Sequence, residues 1–186
     1  MPTDPASLEI VHYPAPVLRV KGEEIDEIND EVRAVAERMV ELMHQAEGIG
    51  LAAPQVGLSW RMFVVHVPED PSEPGEPGIA TFTHAPMVYI NPRLSDPERD
   101  LVPGPEGCLS LPQISGDVPR PSRITITAQD LDGNEFTQRA SGLLARCWQH
   151  EHDHLDGVLI LDRMTRPSRM KNRNAVRDLE RIAGML

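Results

Sequence analysis

The feature that most constrains this chain is the stretch formed by residues 149–157, which reads QHEHDHLDG. If this stretch is helical, His150 and His154 are four residues apart and lie one above the other on a single face. Two imidazoles in that position can bind one metal ion, and Glu151 is then within reach of a water molecule on the ion. The H-E-x-x-H pattern indicates water activated by a metal and a carboxylate base. A polar helix with an accidental histidine pair is the alternative, and we expect His152 to point into solvent.

Length, charge and cysteine content exclude several classes of protein. The 186 residues are enough for one domain with a proper core. The formal net charge of −11 argues against a general nucleic-acid binder and against binding to anionic membranes. Residues 1–5 lack the basic and apolar regions of a secretory signal, and two cysteines are too few for a disulfide framework. We therefore expect a cytoplasmic protein with no membrane partner and no specific nucleic-acid site.

Hydrophobic periodicity predicts three main helices. The first begins after Asn29, which can cap it, and its apolar residues recur at helical spacing up to Gly48, where we expect it to end. Residues 142–155 form the helix that carries the histidines. A basic-faced amphipathic helix closes the chain from about residue 167 to residue 186.

Short strands separate these helices. They are predicted at four places: 62–67, 87–90, 124–130 and 135–140. The last two flank Asp132 and Gly133, which form a hairpin signal. We expect extended segments broken by prolines at 8–20, a surface loop at 68–86 and a polar, proline-broken connection before Glu106. The pattern predicts an α+β fold, with antiparallel sheets around the central histidine helix and a further helix near each terminus.

A third metal ligand is needed, because a catalytic metal ion usually has three protein ligands and one open position. The two cysteines are the candidates. Seven residues of helix separate Cys147 from His154, about 10.5 Å along the helix axis, which is too far for both to bind one ion. We therefore expect Cys147 to be a buried thiol and Cys108, from a separate segment, to be the thiolate ligand. No fourth ligand is evident, which favours an open, catalytic site.

Three stretches of the chain resemble the motifs of the peptide deformylase family, in the same order. They are residues 48–55 (GIGLAAPQ), 106–112 (EGCLSLP) and 149–155 (QHEHDHL). The similarity covers roughly residues 10–161. It implies a single catalytic domain over residues 1–186 with an α+β fold. The implied activity is removal of the N-formyl group from the formyl-methionine of new polypeptides, with release of formate.

The resemblance also implies roles for single residues. By motif position, Cys108, His150 and His154 bind the metal and Glu151 is the acid and base. The family's metal is commonly ferrous iron, so we expect one Fe²⁺ in the cell, with Zn²⁺, Ni²⁺ or Co²⁺ as substitutes. The substrates implied are N-formylmethionyl nascent peptides.

Further positions are expected to stabilise or bind the substrate. The resemblance implies that Gln55 and the Leu109 backbone N–H hold the oxyanion and that Gly50 helps to bind the substrate; alternatively, Gln55 only pins a loop. Segments 48–50 and 107–110 can pair with an extended peptide. The substrate-binding residues predicted from these segments are Gly48, Ile49 and Gly107. Leu143 and Cys147 face the same way along their helix as His150 and are predicted to line the methionine pocket. For Leu143, plain core packing is the alternative.

Two features lie outside the three motifs. Glu106 and Arg120 are expected to form a pair that steadies the Cys108 segment, with a surface ion pair as the alternative. Ser115 stands about where some relatives carry an arginine on the peptide-binding loop, and the loop at 71–78 is longer than in compact members. The basic C-terminal helix is expected to be a solvated face or a dock for the ribosome.

Two other functions fit parts of the pattern. An H-E-x-x-H metalloprotease shares the histidine helix, although it usually completes its site with a downstream carboxylate or histidine. A catalytically silent peptide-binding relative would keep the metal for stability alone. Such a protein would need neither Glu151 nor Gln55, so their presence favours an enzyme.

Overall fold

The computed structural model describes residues 3–72 and 75–184, and within them the chain folds into helices and two antiparallel sheets. The α-helices are α1 (Asp30–Gln45), α2 (Gly142–Leu155), α3 (Ile160–Arg163) and α4 (Arg166–Ile182). The strands are β1 (Gly50–Ala52), β2 (Met62–Val65), β3 (Met87–Ser95), β4 (Leu101–Cys108), β5 (Leu111–Pro121), β6 (Arg123–Gln129) and β7 (Glu135–Ser141). The predicted α+β class with antiparallel sheets is confirmed.

The larger sheet has five strands in the order β1-β2-β3-β6-β7, and β4 and β5 form a separate two-stranded sheet. Strand β1 pairs with β2 and lies at the edge of the larger sheet. The predicted hairpin is confirmed as β6 and β7, with Gly133 at φ 82° in its turn. None of the helices in the described part of the chain is long and apolar enough to cross a membrane.

Helix α1 begins as predicted, because the Asn29 side chain accepts a hydrogen bond from the Val32 amide at 3.1 Å. Its end differs from the prediction. Glu47, not Gly48, takes the left-handed conformation, with φ 55°. The Gly48 amide then donates to the Met43 carbonyl at 2.8 Å, which closes the end of the helix. The chain is thereby turned directly into the segment that precedes β1.

Helix α2 lies in the middle of the molecule and is buried on most of its surface. Trp148 is fully buried, and its ring lies 5.7 Å from that of Tyr89 on β3, measured between centroids. His150 and His154 project towards the two-stranded sheet, where Cys108 ends β4. A helix packed on several sides cannot easily change its position, so its polar residues are held in a fixed frame.

The two-stranded sheet is the main feature of the fold that differs from the prediction. Residues 101–121 form β4 and β5, where a proline-broken connection was expected before Glu106. Pro103 and Pro119 lie opposite each other in this hairpin. Both strands of a two-stranded sheet are edge strands, so prolines can be placed where no ladder hydrogen bond is lost. Because edge strands tolerate proline, the prolines in residues 101–121 wrongly indicated an irregular connection.

Smaller differences concern element ends and one histidine. A 3₁₀ helix spans Pro16–Arg19 within the stretch predicted to be extended, β2 ends at Val65, and β3 continues to Ser95. The expected solvent position of His152 is wrong: its side chain is 18% exposed and its Nε2 lies 3.3 Å from the Arg61 guanidinium. The side of α2 opposite His150 and His154 is therefore covered by β2 and its neighbours.

Helix α4 is joined to β5 through two buried polar residues. The Asn172 side-chain amide donates to the Ser115 carbonyl at 2.8 Å, and the Ser168 hydroxyl accepts from the Asp117 amide at 2.9 Å. The arginines of α4 are exposed on its other side. The predicted basic, amphipathic helix is confirmed up to Ile182, and residues 185–186 of the predicted span lie outside the described residues. Its inner face supports a wall of the cavity described below.

Candidate active site

The two histidines of α2 and the cysteine at the end of β4 form a cluster of potential metal ligands. Among residues 3–72 and 75–184, Cys108, His150 and His154 are the one group of this kind, with ligand atoms within 4.8 Å of one another. The Cys108 Sγ lies 3.3 Å from His154 Nε2. Bonds of about 2.3 Å to sulfur and 2.0 Å to nitrogen, at a near-tetrahedral angle, place these two atoms about 3.5 Å apart. The donor set therefore fits one divalent ion.

The orientation of His150 is set by an acidic partner. Its Nδ1 lies 3.0 Å from the Glu106 Oε2, so Nδ1 carries the proton in this hydrogen bond and Nε2 is left to face the cluster. A carboxylate behind a metal-binding histidine is a common arrangement that fixes the tautomer and makes the imidazole a better ligand. Glu106 therefore acts on the ligand cluster through the histidine ring.

Glu106 is itself held by two arginines, of which Arg120 is buried. The predicted pair with Arg120 is present and buried, with bonds of 2.6 and 2.9 Å, and Arg146 donates to the same carboxylate at 2.9 Å. Burial alone would raise the pKa of Glu106, but the hydrogen bonds from Arg120 and His150 outweigh it and lower this pKa to about 2. Arg120 also donates to Asp153 on α2 at 2.8 Å. These charges connect β4, β5 and α2 in one network.

Glu151 is buried next to the ligand cluster. Glu151 is 4% exposed, and its Oε2 has no hydrogen-bond partner among the described residues. Burial is the main cause that raises the pKa of Glu151 to about 7, against the opposing effect of His150. A buried carboxyl group with a free oxygen is suited to exchanging protons with a reactant.

Gly50 leaves the space that the Glu151 carboxylate occupies. A Cβ atom at Gly50 would overlap Glu151 Oε1 and lie 2.9 Å from the Cys147 sulfur. The lack of a side chain at Gly50 thus allows the helix that carries the histidines to pack close to β1. Contact between Gly50 and a substrate is a separate matter and remains a prediction.

Replacing Gly50 with alanine should displace the Glu151 side chain and lower kcat about 10²-fold, because a 1 Å misplacement can cost that much. Steady-state hydrolysis of a formylated peptide, the substrate that the sequence resemblance implies, measures the change. Gly75→Ala is the control, since a Cβ atom there meets nothing within 4 Å. Equal activity of the two variants would show that the space at Gly50 is not needed.

The oxygen and the nitrogen of the Gln55 side-chain amide have different contacts. Its Oε1 accepts a hydrogen bond from the Ala52 amide at 2.8 Å, so the residue does pin its own loop. Its Nε2 lies 3.5 Å from the Cys108 sulfur and 3.3 Å from the Ser110 hydroxyl. The side chain is 1% exposed, and its amino group is directed towards the ligand cluster. The loop-pinning role and a role at the centre are therefore compatible.

A cavity of about 610 Å³ opens onto the ligand cluster. One wall is the segment 48–50 at the edge of the larger sheet, and the other wall is formed by residues 105–109 and 111–115 of the hairpin. A peptide in extended conformation can pair with exposed strand edges of this kind. Each residue that was predicted to bind substrate lines the cavity: Gly48, Ile49, Gly107, Leu143 and Cys147.

Leu143 and Cys147 occupy different depths of this cavity. Leu143 is 41% exposed, so plain core packing does not describe it, and it lies at the mouth. Cys147 is 4% exposed, and burial, followed by the charge of Glu151, raises its thiol pKa well above the ordinary value. The expected buried thiol is confirmed, and it stays protonated in this apolar position.

Several residues at the site were not predicted. Arg146 donates to Glu106 and to the carbonyls of Val102 and Val118, and thus joins α2 to both strands of the hairpin. Asp153 receives hydrogen bonds from Arg120 and Arg163. The helical spacing of Arg146 and His150 places them on the same face, a signal that could have identified Arg146.

The chain is similar to known deformylases over most of its length. A model of the polypeptide deformylase family matches residues 7–170. The chain is 47% identical over 169 residues to peptide deformylase 2 of Gloeobacter violaceus, an alignment that covers 88% of this chain and 85% of that protein. It is 41% identical to the chloroplastic peptide deformylase 1B of Solanum lycopersicum, covering 85% of this chain and 53% of the tomato protein.

Comparison of the fold with solved structures also shows similarity to peptide deformylases. The crystal structure of peptide deformylase from Ehrlichia chaffeensis superposes with a TM-score of 0.86 at 35% sequence identity. The superposition covers 95% of this chain and 96% of the other. A likeness of this extent includes both sheets and the helix that carries the histidines.

Proposed function

Because this chain belongs to the polypeptide deformylase family, whose members remove the N-formyl group from nascent peptides, we propose that the Cys108 cluster is its catalytic centre. The chain is a hydrolase of this family, and the comparisons do not support a metalloprotease or a silent binding protein. We propose that Cys108, His150 and His154 hold the metal ion. The observation that carries this proposal is that the three ligand groups lie together, and that Cys108, His150 and the buried Glu151 line one peptide-sized cavity.

The ion would supply Lewis acidity, which acidifies water and polarises the formyl carbonyl. Glu151 then takes a proton from the attacking water as the new bond to the formyl carbon forms. When the C–N bond breaks, Glu151 returns this proton to the nitrogen of methionine, which leaves as the new amino terminus. Formate is the other product, so atoms and charge balance without a further reactant.

Charge develops on the formyl oxygen during the attack. The amino group of Gln55 and the backbone N–H of Leu109 are the proposed donors to this oxygen. The support is that Gln55 keeps its amino group directed at the cluster, while its oxygen is engaged by Ala52. One donor of this kind is worth about 2.7–4 kcal/mol in other enzymes.

Substrate binding is proposed along the two walls of the cavity. The formyl-methionine side chain would lie against Cys147 and Leu143, and the following peptide would pair with the segments 48–50 and 107–110. Gly48, Ile49 and Gly107 then present backbone to the peptide. Ser115, on the hairpin wall, provides no cation for the peptide, which is consistent with recognition through backbone and methionine.

The native ion is proposed to be Fe²⁺. The cluster of one thiolate and two imidazoles also accommodates Zn²⁺, Ni²⁺ or Co²⁺, and Zn²⁺ binds such ligands more tightly than Fe²⁺ does. Which ion occupies the site in the cell therefore depends on supply. Metal analysis after anaerobic purification, combined with a formate-release assay on each metal form, tests the assignment.

The central experiment compares two kinds of substrate. With formyl-Met-Ala-Ser, the metal-loaded enzyme should release one formate for each new amino terminus. Peptides without a formyl group, which a metalloprotease would cleave internally, should remain intact. Release of internal fragments without formate would contradict the proposed role of the site.

We propose that residues 1–186 form one catalytic domain and that it acts in the compartment where nascent chains start with formyl-methionine. The cytoplasm is the proposed location, although the tomato relative bears the name chloroplastic. The ribosome is a proposed partner, because the exposed face of α4 is rich in arginine in a chain of net charge −11.

A charge-reversal variant tests the contact with the ribosome. Arg169, Arg173 and Arg177 are exposed on α4, so changing them to glutamate should leave the fold intact and weaken co-sedimentation with ribosomes. Wild-type binding should fall as salt is raised, because exposed charges are screened. The control reverses three exposed cations elsewhere: Lys21, Arg93 and Arg99. Equal binding of both variants would contradict a role for α4.

A further inference from the structure

A second pair of histidines lies outside the catalytic cluster. His44 is in the last turn of α1, and His66 follows the end of β2. His44 Nε2 and His66 Nδ1 are 2.9 Å apart, and the ring planes are inclined at 63°. His44 is exposed and His66 is half-buried, so the pair is open to solvent. Neither residue has a part in the mechanism above.

The spacing of the two nitrogen atoms matches two ligands on one ion. Metal–nitrogen bonds are about 2.0–2.1 Å long, and two of them with their nitrogens 2.9 Å apart enclose an angle of about 90°. Neighbouring ligands of a square-planar or octahedral ion meet at this angle. Imidazole suits Zn²⁺, Cu²⁺ and Ni²⁺, whereas Mg²⁺ and Ca²⁺ prefer oxygen. The pair is thus selective for late transition metals.

We propose that His44 and His66 form a second, exposed binding site for a divalent transition-metal ion, distinct from the Cys108 cluster. The ion replaces the proton that the two imidazoles share, and water fills its remaining positions. The net charge of −11 favours the uptake of a cation. Because the two residues are 22 positions apart in the chain, only the folded state holds them together.

The elements that carry His44 and His66 are hydrogen-bonded to the segment 48–50, which forms one wall of the cavity. The His66 amide donates to the Ile49 carbonyl at 2.9 Å, and the Gly48 amide donates to Met43 in α1 at 2.8 Å. An ion held by His44 and His66 therefore links the end of α1 to the end of β2 on either side of the segment 48–50. Occupancy restrains this segment and stabilises the folded state, since the unfolded chain lacks the site.

Titration of nickel holoenzyme tests the proposal. The chain is loaded with one Ni²⁺, dialysed, and titrated with further Ni²⁺ by calorimetry, with metal analysis of the dialysed complex. We expect one additional ion per wild-type chain and an increase in Tm on its binding. His44→Ala and His66→Ala should each lower the affinity for the second ion about 100-fold, because two linked ligands bind more tightly than one by a factor of about 10²–10⁴.

Two control variants distinguish binding at His44 and His66 from uptake of a second ion elsewhere on the chain. His12→Ala removes an exposed histidine elsewhere and should leave the second ion bound. His44→Gln keeps a polar side chain at the helix end and should lose the second ion while its one-ion form retains wild-type deformylase activity. Uptake of the second ion by His44→Ala at wild-type affinity, or no second ion in the wild type, would overturn the proposal. Both overturning results are read from ion binding alone, so they do not depend on the catalytic role proposed for Glu151.

Discussion

Replacing Glu151 with glutamine should lower kcat for a formylated peptide by about 10²–10⁴-fold, the usual contribution of a general acid and base. The ion at the Cys108 cluster should stay bound, because Glu151 is not among the three ligand residues. Glutamine fills the same space beside Gly50 but cannot accept and return a proton. Rapid-quench measurement of formate release, with metal analysis of the same sample, gives both values.

The matched control makes the same chemical change on an exposed part of a helix. Glu37 lies on the outer face of α1, so Glu37→Gln should retain wild-type kcat and metal content. A Glu151→Gln enzyme that turns over normally would show that another group moves the proton. Loss of the metal in this variant would instead indicate that Glu151 supports the ligand cluster, contrary to the geometry.

The second large effect is expected at Glu106, where glutamine should destabilise the fold by about 3 kcal/mol. Removing one partner of a buried ion pair typically costs about 3–5 kcal/mol, because the other charge is left uncompensated. Asp153 still faces Arg120 at 2.8 Å, which places the cost at the lower end of the range. Affinity for the catalytic metal should also fall about 10–100-fold, since His150 loses its carboxylate partner.

Urea unfolding and competition with a chelator measure these two quantities. Glu135→Gln is the control: it removes a carboxylate from an ion pair with Arg93 in which both side chains are more than 60% exposed. Exposed pairs contribute about 0–1 kcal/mol, so this variant should unfold close to the wild type. Similar midpoints for both variants would contradict a structural role for the buried network.

Local patterns in the sequence were sufficient for the parts of the site carried by one element. The four-residue spacing of His150 and His154 dictates that they share a helical face, and the length of a helix excludes Cys147 as a third ligand. The capping position of Asn29 likewise has a purely local cause. These predictions use fixed geometry and do not depend on how the chain packs.

Features that arise only from packing could not be predicted from local sequence patterns. Prolines hid β4 and β5, because the tolerance of an edge strand for proline depends on which neighbours the strand has. The role of Arg146 and the burial of His152 depend on contacts with distant strands. Gly50 was expected to help bind the substrate, but the group that lies against it is Glu151, from a helix about 100 residues later.

The ligand set of the catalytic ion is the claim on which the other assignments depend. X-ray absorption spectroscopy of the one-ion zinc or nickel form measures it directly. The account predicts one sulfur at about 2.3 Å and two imidazole nitrogens at about 2.0 Å, with the sulfur signal lost in Cys108→Ser. A spectrum with only nitrogen and oxygen ligands in the wild type would contradict it.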